Sequence, residues 1–244
     1  MTPTCRIVEA GTVPYGDAFA LQKSDVAKIQ AGGEERFYLL EHPHVITIGR
    51  NASGNALTAD PRDVEARGGV VVHTDRGGDV TYHGPGQIVG YPLLRLDPPQ
   101  RDVRRYVHNI EQMLIDAIGT FGIEGRHHPR HRGVWVDDRK IASVGIRIAH
   151  WVTCHGFALN VNTDLTWFDL MNPCGIAGCT MTSMAEETGS AMDTTLVIDA
   201  IVQNFERVFA RRTVRGDAMR DQPAYEHDRN SPSIGKQSHV DSPL

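Results

Sequence analysis

The spacing of β-prone runs constrains this chain more than any other feature. Residues 4–9, 37–40, 45–48, 70–72, 88–96, 134–136, 141–148 and 157–161 are short apolar or β-branched runs bounded by glycine, proline or charged residues, which is how strands read. Helical periodicity is confined to fewer stretches. Residues 15–29 carry Phe19, Ala20, Val26, Ala27 and Ile29 on one face. Residues 103–121 carry a well-defined apolar stripe through Tyr106, Val107, Ile110, Met113, Leu114, Ala117 and Ile118, so that helix is expected to pack on a sheet. Asp60 followed by Pro61 marks a short helix start, Asp193 caps a last amphipathic helix through Phe209, and residues 167–170 read as a helical turn. Strands outnumber helices and do not alternate strictly with them. The expected class is therefore α+β, a mixed or antiparallel β-sheet with flanking helices. There is no internal repeat.

With 244 residues, 40% of them hydrophobic, the chain can bury one sizeable core. The expected division is a domain over residues 1–211 and, where the sequence turns polar and aperiodic, a disordered tail over residues 212–244. The net charge of −5 does not suggest nucleic acid as the default partner. No apolar run approaches the ~18 residues of a membrane helix, and the first residues lack the apolar core of a signal peptide. A cytoplasmic protein is expected. Its four cysteines, Cys5, Cys154, Cys174 and Cys179, are then thiols and not a disulfide scaffold.

Cys174 stands between Pro173 and Gly175, with Gly178 close behind. Such a turn can present a thiol to a substrate, although a free cysteine can equally be a small apolar filler. Cys154 lies beside His155, but neighbours on a strand point to opposite faces and do not meet. Zinc held by Cys174, Cys179 and the His127/His128/His131 cluster would need ligand spacings unlike the usual ones; that cluster reads as a solvated loop able to offer a basic surface to an acidic partner. A nucleophilic thiol needs a neighbour that favours its thiolate. Lysine is scarce here (Lys23, Lys28, Lys140 and Lys236). Lys140, opening the apolar run 141–148, is either a solvated hairpin residue or drawn inward. The glycine-rich stretch from Arg76 to Gln87 could cradle an anion or an acyl group on backbone N–H groups, or be a plain tight connection. It is neither a Walker loop nor a dinucleotide fingerprint. His83 within it could meet substrate or hydrogen-bond in the core.

Four separated segments, in order, resemble those of the octanoyltransferases of lipoate biosynthesis. They are Arg76-Gly77-Gly78-Asp79-Val80-Thr81-Tyr82-His83-Gly84-Pro85-Gly86-Gln87, Arg139-Lys140-Ile141-Ala142-Ser143-Val144-Gly145, His155-Gly156-Phe157-Ala158-Leu159-Asn160 and Asn172-Pro173-Cys174-Gly175. The resemblance, which runs from about residue 5 to residue 210, implies the fold of lipoate and biotin protein ligases. It implies transfer of octanoyl from octanoyl-acyl carrier protein to a lysine of lipoyl domains, those of 2-oxoacid dehydrogenases and the glycine cleavage H protein, by a monomer without cofactor or metal. Cys174 matches the acyl-thioester nucleophile and Lys140 the residue that lowers its pKa. Arg76, Gly77, Gly78, Asp79, Val80, Thr81, Tyr82 and His83, with Ser143, Val144 and Gly145 and with Gly156, Phe157 and Ala158, match the substrate-contacting segments. Cys179 is a second thiol close by.

Overall fold

The computed structural model describes residues 2–52, 56–172 and 179–216. Its centre is a mixed sheet whose strands bury alternate residues on opposite faces. Strands β1 (Thr4–Thr12) and β2 (Glu35–Glu41) flank helix α1 (Tyr15–Gln30). On β2, Phe37 and Leu39 enter one apolar cluster while Tyr38 and Leu40 enter another, as a period of two requires. Next come β3 (Val45–Ile48), α2 (Pro61–Ala66), β4 (Val70–His73), β5 (Val80–His83), β6 (Gln87–Leu93) and α3 (Val103–Gly119). They are followed by β7 (Arg126–His127), β8 (Val134–Val136), β9 (Arg139–Ala149) and β10 (Val152–Asn160). A 3₁₀ helix (Leu165–Leu170), β11 (Thr180–Met181), α4 (Met184–Thr188), α5 (Thr194–Phe209) and β12 (Arg212–Arg215) complete the described chain.

The large sheet runs β12-β1-β2-β6-β10-β9-β8-β7, with β11 pairing with β9. The β1–β2, β1–β12 and β9–β11 pairs are parallel and the others antiparallel. Helices α3 and α5 cover one face through Ile110, Leu114, Val197, Ile201 and Phe205. Helix α1 covers the other through Ala18 and Ile29. A second sheet, β4-β3-β5, has its own cluster, in which Ile46, Val64, Tyr82, Trp167 and Phe168 pack together. The sequence reading anticipated one sheet; the strands of the second are only four residues each, and nothing local says which sheet a short strand joins.

Local signals place most elements. Asp60 accepts from the Arg62 N–H, Asp102 from those of Arg104 and Arg105, and Asp193 from that of Thr195, each satisfying donors that a helix start leaves open. Several boundaries differ from expectation; β1 runs on to Thr12 and β10 begins already at Val152. β6 ends at Leu93, where the Leu94 N–H turns to Thr153 Oγ1 at 2.8 Å. At the other end, order continues past residue 211: β12 pairs with β1 from Thr4↔Arg212 to Ile7↔Arg215. Arg211, buried, anchors this turn by donating to both oxygens of Glu35, at 2.7 and 3.1 Å. Backbone pairing makes this strand out of a polar stretch. Residues 217–244 lie outside the described chain.

Candidate active site

A cavity of about 330 Å³ opens where the small sheet meets β9 and β10. Its walls come from the 76–83 stretch, from β9 at 143–146, and from β10 at 155–158, with Tyr15 of α1, Tyr91 of β6, Val107 of α3, Lys140 and the rim residues 130–132. Thirteen of the fourteen residues expected to contact substrate line it: Arg76, Gly77, Gly78, Asp79, Val80, Thr81, His83, Ser143, Val144, Gly145, Gly156, Phe157 and Ala158. Tyr82 does not. Alternation on β5 turns it to the other side, where its ring stacks on Trp167 at 5.2 Å and its hydroxyl meets His44 Nδ1 at 2.8 Å.

The glycine-rich stretch is held from two sides. The Gly77 N–H donates to the Ile146 carbonyl on β9 at 2.9 Å. Residues 49–51 donate to the carbonyls of Asp79, Arg76 and Gly78. Arg76 is itself buried; its guanidinium donates to Thr47 O at 2.7 Å and to Thr47 Oγ1 at 2.9 Å. These bonds spread its charge over oxygens of the small sheet.

Apart from Lys140, Ser143 and the rim arginines, the remaining lining is aromatic or aliphatic, backed by His42 behind Tyr91. Tyr15 bonds Thr74 Oγ1 at 2.8 Å. Tyr91 bonds His42 Nε2 at 2.7 Å, and His42 Nδ1 donates to the Val13 carbonyl at 2.6 Å. His83 Nδ1 donates to Gln87 Oε1 at 2.8 Å; Gln87 passes the chain to Asn160 Oδ1, and Asn160 to the Thr182 carbonyl. His155 Nε2 meets Asp75 Oδ1 at 2.8 Å. Burial drives His42 down to about 4, His83 well below the usual imidazole range, and His155 down against the pull of Asp75. Burial likewise raises Tyr15 and Tyr91. At neutral pH all five rings are uncharged. Their polar tips have protein partners, which suits a lining for an apolar ligand. His83 thus hydrogen-bonds in the core and also lines the cavity.

Lys140 is 2% exposed, drawn inward and not solvated. Its backbone pairs with Trp135 on β8 and with Met181 on β11, and its Nζ stands 5.7 Å from the centre of the Trp135 ring. Cys174 falls in residues 173–178, outside the described chain. The described neighbours of that segment are firmly placed. The Asn172 N–H donates to the Ala56 carbonyl at 2.9 Å, and the Thr182 N–H donates to the Lys140 carbonyl at 3.0 Å. Of the other thiols, Cys5 and Cys154 are buried, and burial raises both, Cys154 to about 11. Neither is a thiolate at neutral pH. The Cys154 thiol donates to Gln22 Oε1 while the His155 ring faces Asp75, so the two side chains point to different partners, as strand geometry suggested. Cys179 is half-buried.

The histidine cluster is only in part the expected solvated loop: residues 128–132 are irregular, with Pro129, Arg130 and Arg132 exposed, but its histidines are half-buried. His127 lies on β7, 3.1 Å from Glu111 Oε2 and 3.1 Å from Gln112 Oε1. His128 and His131 pack on Trp135. His108, Glu111 and His127 bring donor atoms within 4.8 Å of one another. The two imidazoles stack at 4.2 Å and 16°, so their in-plane lone pairs lie in nearly parallel planes, and both Glu111 oxygens already accept hydrogen bonds. This is the geometry of a hydrogen-bonded cluster. Among the described residues no helix is long and apolar enough to cross a membrane.

The sequence does not point to Tyr15, Tyr91, Val107 or Ile146 as cavity residues, and it marks His155 only beside Cys154 and within a matched segment, and the 130–132 stretch only as part of a basic surface. Tyr15 and Val107 are remote in sequence from the glycine-rich stretch, while Tyr91, Ile146 and His155 adjoin expected segments; tertiary packing brings them all to one cavity.

Comparison with known proteins gives a consistent picture. The family model described as the lipoyl protein ligase A/B catalytic domain matches residues 14–206. An octanoyltransferase of Solibacter usitatus is 45% identical over 208 residues, 85% of this chain and 92% of that protein. One from Rubrobacter xylanophilus is 44% identical over 201 residues, 81% of this chain and 90% of that protein. Among solved structures, a lipoate-protein ligase A bound with ATP superposes with a TM-score of 0.71 at 13% identity, covering 88% of this chain and 89% of that one. A bipartite lipoate protein ligase from Thermoplasma acidophilum, described with its E2 lipoyl domain, superposes with a TM-score of 0.68 at 14% identity, covering 88% of each chain. At such identities the structural likeness speaks for the fold.

Proposed function

The chain belongs to the octanoyltransferases and transfers octanoyl in lipoate biosynthesis, and we propose that it does so by two acyl transfers through a thioester on Cys174, from octanoyl-acyl carrier protein to a lysine of a lipoyl domain. The observation that carries the reading is Lys140, a lysine buried at the wall of a largely uncharged cavity and in backbone register with Met181, just beyond the cysteine segment. A cation about 4 Å from a thiolate is worth about 4 kcal/mol at an effective dielectric of about 20. One pKa unit corresponds to about 1.4 kcal/mol, so a fraction of that attraction suffices to keep the thiol ionised.

In the first step the Cys174 sulfur attacks the thioester carbonyl. The bond to the carrier's phosphopantetheine sulfur breaks, and Lys140 gives its proton to that leaving thiolate. In the second, the acceptor amine attacks the Cys174 thioester, and Lys140, now neutral, takes the proton the amine must lose. Cys174 leaves as a thiolate beside a restored ammonium. Backbone N–H groups near Cys174 or along 143–145 serve the tetrahedral oxyanion. The first step exchanges one thioester for another and is near neutral in energy. The second ends in the more stable amide, so no ATP is consumed. The acyl chain lies against the aromatic faces and Val80, Val107 and Val144.

Incubation with octanoyl-acyl carrier protein is expected to give a hydroxylamine-sensitive octanoyl adduct by mass spectrometry, absent in Cys174→Ala. An adduct that persists there and vanishes in Cys179→Ser or Cys154→Ser sinks the assignment. Lys140→Ala should move the pH profile of thiol alkylation upward; an unmoved profile removes Lys140 from the role. ATP–pyrophosphate exchange should be absent, and its presence would point to a ligase.

A further inference from the structure

Glu111 interrupts the apolar stripe of α3. It is 3% exposed, flanked by Ile110, Met113 and Leu114 of the α3–α5 core. A carboxylate in such a place costs several kcal/mol unless charge-assisted hydrogen bonds offset the lost water, so its partners indicate its use. Oε1 accepts from the Gly133 N–H at 2.8 Å, a buried bond across twenty-two positions of sequence. Oε2 faces His127 Nδ1 at 3.1 Å. The octanoyl-transfer reading gives none of these residues a part.

Gly133 is where this matters. Its φ is +111°, a conformation side-chain-bearing residues rarely adopt. A Cβ there would come within 2.6 Å of Lys140 Cε and 3.3 Å of Lys140 Nζ, with the Ala142 carbonyl oxygen nearer still. The bare backbone of Gly133 therefore packs against the charged end of Lys140, while the Trp135 ring stands 5.7 Å from the same Nζ. The peptide touching Lys140 is the one whose N–H is tied to Glu111.

We propose that Glu111 is a positioning residue for Lys140: by holding the Gly133 backbone, with His127 steadying its second oxygen, it fixes the wall against which the ammonium is set. The inference rests on the role given to Lys140 above, but its structural content can be measured without it.

The test compares the wild type with Glu111→Ala, Glu111→Gln and His127→Ala. The first readout is pulse labelling of lysines by acetic anhydride, with the exposed Lys23 and Lys28 as references in the same chain. Glu111→Ala is expected to raise Lys140 labelling relative to Lys23 about tenfold or more, the change expected when a charge-assisted hydrogen bond is lost. Its kcat should fall about tenfold to a hundredfold with KM for the octanoyl donor within about twofold, as displacement of a reacting group by an ångström or less does. Glu111→Gln keeps an oxygen for the Gly133 N–H and should return both readouts toward wild type. His127→Ala, at a half-buried position, should move labelling in the same direction by less. Labelling at the wild-type ratio in Glu111→Ala, even with a lowered melting temperature, overturns the proposal. A Gln variant as impaired as the Ala variant also overturns it. Should Glu111→Ala fail to fold, unchanged Lys140 labelling in His127→Ala overturns it, and a rise there, with wild-type labelling in Glu111→Gln, supports it. Wild-type kcat in Lys140→Ala would instead sink the catalytic role of Lys140, and the labelling ratios would still decide whether Glu111 places it.

Discussion

Acidification from pH 7 to pH 5 should weaken the fold through its buried histidines before its carboxylates are reached. His42 is fully buried, with Nδ1 donating to the Val13 carbonyl and Nε2 accepting from Tyr91. Burial lowers its pKa from 6.5 to about 4. Below pH 6.5 the unfolded chain therefore binds a proton that the folded chain refuses until about pH 4. Stability from this group is intact above 6.5 and drains away as pH falls toward 4. At pH 5 the unfolded imidazole is almost wholly protonated and the folded one hardly at all, which amounts to about 2 kcal/mol from His42 alone. His83 and His155, also held down by burial, act with the same sign. The depressed carboxylates of Asp164 and Glu206 lose their contribution only as pH falls toward their ordinary range, below this window. Urea unfolding followed by tryptophan fluorescence at pH 7, 6 and 5 measures the effect. A loss of about 2 kcal/mol corresponds to a midpoint shift of about 1 M at a typical slope. His42→Gln can donate to Val13 and accept from Tyr91 but cannot titrate, so its loss over the same range should be smaller by about 2 kcal/mol. Equal losses in wild type and variant would refute the reasoning.

The Glu35–Arg211 pair, 2.7 Å apart with both side chains largely buried, anchors β12. Arg211→Met should cost about 3–5 kcal/mol by leaving a buried carboxylate uncompensated, and Glu35→Leu combined with Arg211→Met much less; denaturant unfolding of single and double variants reads both. Gly90 has the Phe157 ring lying over it, where a Cβ would land within the ring. Gly90→Ala should therefore destabilise by about 1–3 kcal/mol through overpacking, seen as a lower melting temperature. Thr47→Val removes a hydroxyl that Arg76 uses twice. It should raise KM for the octanoyl donor about threefold to tenfold, the worth of one such bond, with kcat less affected in steady-state assays.

Legibility in the sequence followed the range of the interaction involved. The Asp60–Pro61 helix start and the β3 run Val45–Ile48 were readable because capping and strand patterning act over a few residues. The stripe of α3 is readable too, but nothing in it marks Glu111 as buried: its partner Gly133 lies in the loop before β8, twenty-two positions on. Tyr82 shows how a motif misleads in detail. Its neighbours Thr81 and His83 do line the cavity, and a strand must turn the residue between them away. The polar run Arg212–Arg215 became a strand because β1 offered it backbone partners, which no side-chain pattern announces. Lys140 was picked out by the scarcity of lysine and its place before an apolar run, yet its burial depends on Gly133, Trp135 and β11 closing around it. Cys174 was identified by motif alone and lies outside the described residues.

The placing of charge ties fold to reaction. An octanoyl chain gains from every apolar contact but nothing from a fixed charge, so a cavity made to hold it should neutralise its own lining. His83, His155, Tyr15 and Tyr91 do so by burial and by giving their polar tips to protein partners, and Arg76 commits its guanidinium to Thr47. Lys140 sits on β9 of the large sheet, beside the strand that follows the cysteine segment, and lines the cavity. In a setting of low polarity an ammonium acts on a nearby sulfur far more strongly than it would in water. On the mechanism proposed above, the same shielding that would favour the fatty chain would also strengthen the action of Lys140 on the sulfur. Of the other cationic residues of the lining, Arg76 is tied to Thr47, and Arg130 and Arg132 stand exposed at the rim.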